Sequence, residues 1–148
     1  VPLLVDKMYA NIEKEIENIK QAAPIVIVDF HAEATAEKIC FGRFCSEHKI
    51  SAVLGTHTHV QTADEKIIND YTAYITDAGF CGAYNSVIGM GYEGSLKRLM
   101  TSIPERFDID DSPVVELNAV SMSFDAVSGQ AQSIERIHFI KDYSEVTA

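Results

Sequence analysis

Two short apolar runs, Ile25 to Phe30 and Ser51 to Leu54, constrain the fold more than any other feature of this sequence. Each has the length of a strand, and each is followed closely by histidine. His31 comes after the first. His57 and His59 come after the second, in Gly55-Thr56-His57-Thr58-His59. Between the runs, Thr35 opens a helical stretch with Glu37 and Lys38 in its first turn and Ile39, Phe41, Phe44 and Cys45 inside. Strand, helix and strand in that order normally give parallel strands joined by a right-handed crossover. Both histidine segments then leave the same end of one sheet, where open α/β sheets carry their sites. The run from Ile25 to Phe30 is broken only by Asp29, and its β-branched content predicts a buried strand.

The rest of the chain supports the same class. Leu3, Leu4, Met8, Ile12, Ile16 and Ile19 recur at helical spacing and predict one amphipathic helix over residues 3–22, stopped by Pro24. Lys66 to Ile68 and Thr72 to Thr76 flank Asn69-Asp70 and predict a hairpin. Residues 77–95 hold five glycines and read as a long loop, without the lysine pattern of a phosphate-binding loop. A helix is expected over 95–102, before Pro104. Val114 to Phe124 and Ser133 to Ile140 both alternate, and the turn chemistry of Asp125 to Gly129 joins them into an antiparallel hairpin. The expectation is an α/β domain over residues 1–148, with a mixed sheet and a C-terminal antiparallel hairpin.

Charge and cysteine content narrow the function. The net charge of −10 disfavours a broad duplex-binding face, although metal ions could still supply local positive charge for a small anion. Three cysteines without CxxC spacing do not form a disulfide framework, and Cys40 and Cys45 are expected to be buried thiols. The longest apolar run is too short to span a membrane. No basic-then-apolar leader is visible, so a reducing, cytoplasmic setting is expected. The chain opens on Val1, which suggests a fragment or a processed product.

The His-Thr-His segment is the sharpest chemical feature. Two histidines at i and i+2 on an extended segment point the same way, and imidazole is a common ligand for divalent metals. Alone, this pattern fits two unliganded loop histidines equally well. His31, expected at the same sheet end, shifts the balance towards a metal centre built from His31, His57 and His59. Asp29 has two readings: it orients a ligating imidazole, or it braces the loop through backbone N–H groups. Glu33 has the same two and could also be a ligand itself, and Thr56 offers a hydroxyl beside the ligands. Asp77 reads as a loop brace. His48 and His138 read as structural or solvated.

The segments DFHAEATAEK, GTHTHVQTAD, TAYITDAG and SVIGM resemble a bacterial branch of the calcineurin-like metallophosphoesterases, the YmdB-like cyclic-nucleotide phosphodiesterases. The similarity runs through nearly all of residues 24–140. It implies half of a four-layer α/β/β/α sandwich with two divalent or mixed-valence metal ions, iron or manganese, with zinc or magnesium also admissible. By resemblance, His31 and His57 bind one metal and His59 the other. The carboxylates, the asparagine ligand and the general-acid histidine of the family belong to its amino half, so this chain would be the carboxyl-terminal half, without a catalytic residue of its own. It departs from the family pattern at Phe80-Cys81 and near Asn85, which bears on substrate choice.

The expected function of the whole protein is therefore metal-dependent hydrolysis of small phosphodiesters, such as 2′,3′- or 3′,5′-cyclic nucleotides, by attack of a metal-bound hydroxide. The expected partner is a small phosphodiester, not duplex nucleic acid or a membrane, with homo-oligomerisation left open. Two alternatives stand beside it. One is an amidohydrolase-type metal hydrolase, whose barrel is longer and places its HxH on the first strand. The other is a non-catalytic structural or assembly fragment.

Overall fold

The computed structural model describes residues 8–104, 106 and 108–146. Helix α1 (Met8–Ala22) precedes strand β1 (Ile27–His31), helix α2 (Thr35–Glu47) and strand β2 (Ala52–Thr56). Strands β3 (Lys66–Ile68) and β4 (Thr72–Ile75) form the first hairpin. The short β5 (Gly82–Ala83), helix α3 (Tyr92–Thr101) and the long hairpin β6 (Val114–Phe124) and β7 (Ala131–Asp142) complete the order. Leu3 and Leu4 lie outside the described residues.

Two sheets result. The first has the order β1-β2-β4-β3, with β1, β2 and β4 parallel and β3 antiparallel. The second is antiparallel, in the order β5-β6-β7. One face of the first sheet packs on the helices: Phe41, Cys45, Val53, Tyr74 and Ile16 form this core, and Phe30 stacks on Phe41 at 4.0 Å. The other face meets the second sheet, with Ala52 and Ala73 against Ala131, Met122, Phe124 and Ile134. Alanines at this interface let the two sheets approach closely. The described layers are thus helices, mixed sheet and antiparallel sheet, an α/β arrangement with the expected C-terminal hairpin. Among the described residues, no helix is long and apolar enough to cross a membrane.

Several local expectations are corrected. The first strand is not buried: Ile27 is 51% exposed, because β1 is an edge strand with one face uncovered. The second strand runs on through Gly55 to Thr56, since Phe30 pairs with Gly55 and His31 with Thr56. The glycine-rich stretch contains β5, and α3 begins at Tyr92, three residues earlier than expected, with Gly91 as its N-cap. Of the two helix cysteines, Cys45 is buried and Cys40 is exposed.

Candidate functional site

The parallel pairing of β1 and β2 puts His31 beside Thr56 at the carboxyl ends of both strands. His57 follows directly, and its Nδ1 lies 3.4 Å from His31 Nε2. The two rings meet edge to face, 5.2 Å between centroids. Alternation along β1 turns Phe30 onto α2 and turns Asp29 and His31 to the opposite face. That face is exposed at Asp29, not interior as the strand pattern suggested, because nothing in the described chain covers this edge strand.

A hydrogen-bond relay fixes His31. Thr56 Oγ1 donates to Asp29 Oδ1 at 3.0 Å. With its single proton engaged there, Thr56 can only accept from His31, whose Nδ1 is 3.1 Å away. Neutral His31 is therefore the Nδ1–H tautomer, with its Nε2 on the His57 side. Asp29 thus acts on the imidazole through Thr56 rather than directly.

The loop after β2 is bent rather than extended. His57 and His59 have φ values of 147° and 63°, a region that costs a non-glycine residue roughly 1–3 kcal/mol. The cause is Asp77. Its Oδ2 accepts the Thr58 N–H at 2.8 Å, and its Oδ1 accepts the Gly79 N–H at 3.0 Å. Lys38 Nζ closes the cluster 3.1 Å from Asp77 Oδ2, with both side chains 1% exposed. Burial alone would raise the Asp77 pKa; the hydrogen bonds from Thr58, Gly79 and Lys38 outweigh it and hold the pKa below the ordinary value. Asp77 is the loop brace that its position at the end of β4 suggested.

This bend separates the histidines. His31 and His57 come together, while His59 turns aside and stacks near Phe80, 6.1 Å between centroids. Its side chain borders a cavity with Glu116, Asn118 and His138. Glu33 is exposed, and among the described residues no hydrogen bond or ion pair joins it to the histidines. No cluster of three or more His, Cys, Asp or Glu side chains in the described residues could hold a metal by itself. His31 and His57 nevertheless suit two ligands of one ion. Two nitrogens at about 2.1 Å from a metal, separated by a tetrahedral angle, lie about 3.4 Å apart. Such a pair would need further donors from elsewhere. His48 caps α2 against Phe44 and Glu13, remote in role from this site. The sequence does not single out His138, because its cavity position depends on its pairing with Asn118 across β6 and β7.

The chain is similar in sequence and fold to known proteins. The chain is 39% identical over 139 residues to the 2′,3′-cyclic-nucleotide 2′-phosphodiesterase of Bacillus subtilis, covering 94% of this chain and 52% of that protein. The solved structure of a phosphatase from Mycoplasma pneumoniae superposes with a TM-score of 0.82 at 32% identity, over 99% of this chain and 52% of that one. A crystal structure of a hypothetical protein from Thermus thermophilus gives 0.81 at 33% identity, over 90% and 50%. The chain spans about half the length of the curated relatives it matches. The profile of the YmdB-like protein family matches residues 2–137. With that match over most of its length, the chain belongs to the YmdB-like family.

Proposed function

We propose that this chain supplies part of the metal centre of a phosphodiesterase that hydrolyses 2′,3′-cyclic nucleotides. The observation that carries the reading is the 3.4 Å approach of His31 Nε2 to His57 Nδ1, with the His31 tautomer set by Thr56. Two imidazole nitrogens at that spacing suit a divalent ion such as iron, manganese or zinc once His57 Nδ1 is free of its proton. His59, on the same loop, would serve a second ion. Bound metals would supply Lewis-acid stabilisation of charge developing on the phosphoryl oxygens.

The residues of this chain have three tasks in that scheme. His31 and His57 present neutral nitrogen donors at one sheet end. Asp29 and Thr56 orient one of them. Lys38 and Asp77 hold the loop that carries the other two histidines. Three imidazoles bring no negative charge, whereas two divalent ions bring about four positive charges. Carboxylate ligands must come from additional chain, and the relatives are about twice as long. The isolated chain is therefore expected to be inactive.

The experiment compares residues 1–148 with a version extended to the length of its relatives. Both are loaded with manganese or iron, the metal content is measured, and 2′,3′-cyclic AMP is supplied. Turnover by the extended protein alone supports the reading. Absence of turnover with two metals bound per chain removes it. Robust turnover by residues 1–148 would show that the chain's own carboxylates complete the site.

A further inference from the structure

The cavity beside His59 has a volume of about 420 Å³ and lies between the loop after β4 and the inner face of β6 and β7. We propose that it binds the nucleobase of the cyclic nucleotide, and specifically a base that bears an exocyclic amine. The inference rests on the phosphodiesterase reading above and adds the recognition of the organic half of the substrate.

Three features support it. The first is position. His59 belongs both to the metal-bearing loop and to the cavity wall, so a phosphate held near the histidines leaves its organic group at the cavity mouth. The second is shape. Phe80 lines the cavity and lies near-parallel to the His59 ring, at 28°, offering a flat apolar surface to a planar ligand. The volume falls in the range of small-molecule sites, roughly 300–1,000 Å³.

The third is hydrogen-bond polarity. Asn118 uses its whole amide within the protein: Nδ2 donates to Phe80 O at 2.7 Å and to Glu116 Oε2 at 3.1 Å, and Oδ1 accepts from His138 Nδ1 at 2.9 Å. In neutral His138 this leaves Nε2 as an acceptor. The second oxygen of Glu116 is also an acceptor. Gln61 donates its amide to Ala119 O at 2.9 Å, which leaves its own oxygen as a third acceptor. Arg136 also lines the cavity but is paired with Glu65 through Nε at 2.8 Å, and the acceptors of Glu116, Gln61 and His138 suit a neutral group rich in N–H donors. The amino groups of adenine, cytosine and guanine meet that description; uracil lacks one.

The test uses the metal-loaded protein extended to the length of its relatives, with Phe80→Ala and Glu116→Gln variants. Four probes are compared: 2′,3′-cyclic AMP, 2′,3′-cyclic UMP, ribose 2,3-cyclic phosphate and adenosine. Ribose 2,3-cyclic phosphate keeps the reacting ring and has no base. Phe80→Ala is expected to lower kcat/KM for cyclic AMP roughly tenfold more than for the base-free ester, mainly through KM. Glu116→Gln is expected to erase most of the preference for cyclic AMP over cyclic UMP. Adenosine alone should bind to the parent and bind more weakly to both variants, with thermal melting used to confirm that each is folded. Equal losses on the nucleotide and the base-free ester would overturn the proposal. So would adenosine binding that neither variant weakens. If adenosine binds through Phe80 and Glu116 but no ester is turned over, the phosphodiesterase reading fails and the base site stands.

Discussion

Thr56 gives its only hydroxyl proton to Asp29, 3.0 Å away, and so meets His31 Nδ1 as an acceptor at 3.1 Å. The relation between Thr56 and His31 decides which imidazole nitrogen faces His57. If His31 is a ligand through Nε2, Thr56→Val keeps the shape of the side chain and removes the acceptor. The variant is expected to bind metal about 10–100-fold more weakly in the extended protein. Thr56→Ser should restore most of the loss. Metal titration measures the affinity, and nitrogen NMR of the apo protein reads the His31 tautomer. A valine variant with parental affinity and an unchanged tautomer would remove Thr56 from the site.

Lys38 and Asp77 form the most deeply buried ion pair among the described residues. Breaking such a pair leaves one charge buried and uncompensated, at about 3–5 kcal/mol. Lys38→Met is expected to lower the unfolding free energy by about that amount, and Asp77→Asn by somewhat less, since asparagine can still accept one backbone N–H. Chemical denaturation measures both. A loss below about 1 kcal/mol for Lys38→Met would mean that the pair does not hold the loop.

The same carboxylates predict the acid response. Burial pushes Asp77 and Asp64 up, but hydrogen bonds more than compensate, from Thr58, Gly79 and Lys38 to Asp77 and from Thr76 and Thr62 to Asp64. Both therefore sit below their unfolded values, near 3.9. The unfolded chain then binds more protons than the folded one as the pH falls. The stabilisation is complete above about pH 4 and is lost as the pH drops through the folded pKa values. Asp77→Asn should flatten part of that fall in a melting-temperature series. An acid profile identical to that of the parent would contradict the assignment.

Much of this site was legible in the sequence because strand-helix-strand order dictates parallel pairing, and parallel pairing alone brings His31 to Thr56. The bend at His57 and His59 was not legible. It depends on an aspartate 19 residues away from Thr58, reached only after the chain has crossed to β4. The exposure of Ile27 depends on which strand lies next to β1, which a hydrophobic run does not encode. Gly91 and Gly94 hide the start of α3, because glycine reads as a loop residue even where one caps a helix and the other lies within it. His138 carries no signal of its own in the sequence, since its partner, Asn118, is set by the register of the long hairpin.

Gly55 tests how tightly the site is built. A Cβ there would overlap the Thr76 backbone carbonyl and crowd the Lys38 side chain. Neither the carbonyl nor the buried lysine has room to give. Gly55→Ala is expected to cost about 3 kcal/mol or more and to push β2 away from β4. The readouts are the melting temperature and the amide shifts of residues 56–59. A stable variant with unchanged shifts would show that the backbone there has slack.

Thiol chemistry gives an independent check on the packing. Burial pushes the Cys45 pKa up to about 12, whereas Cys40 and Cys81 are exposed. At pH 8, a thiol reagent should modify Cys40 and Cys81 in the native protein and reach Cys45 only after unfolding. Mass spectrometry of the labelled peptides reads this directly. Fast native labelling of Cys45 would mean that α2 opens readily from the sheet.

The last expectation concerns the outer face of the second sheet. Met122, Phe124 and Ile134 point inward to the alanines of the first sheet, so alternation turns Leu117, Ile137 and Phe139 outward. Leu117 and Phe139 are direct partners across β6 and β7, and Phe139 is 55% exposed. β7 is also a long edge strand, 12 residues, and among the described residues no further strand pairs with its outer side. An apolar face beside an open edge is a template for association. Residues 1–148 alone should therefore self-associate, and Phe139→Lys should shift them towards monomer by placing a charge at the centre of the face. In the protein extended to the length of its relatives, the same substitution should matter more for folding yield than for oligomeric state, if the added chain covers this surface. Sedimentation velocity separates these outcomes. A strictly monomeric isolated chain, or one whose association ignores Phe139→Lys, would show that this face is not the sticky one and would direct attention to the uncovered β1 edge instead.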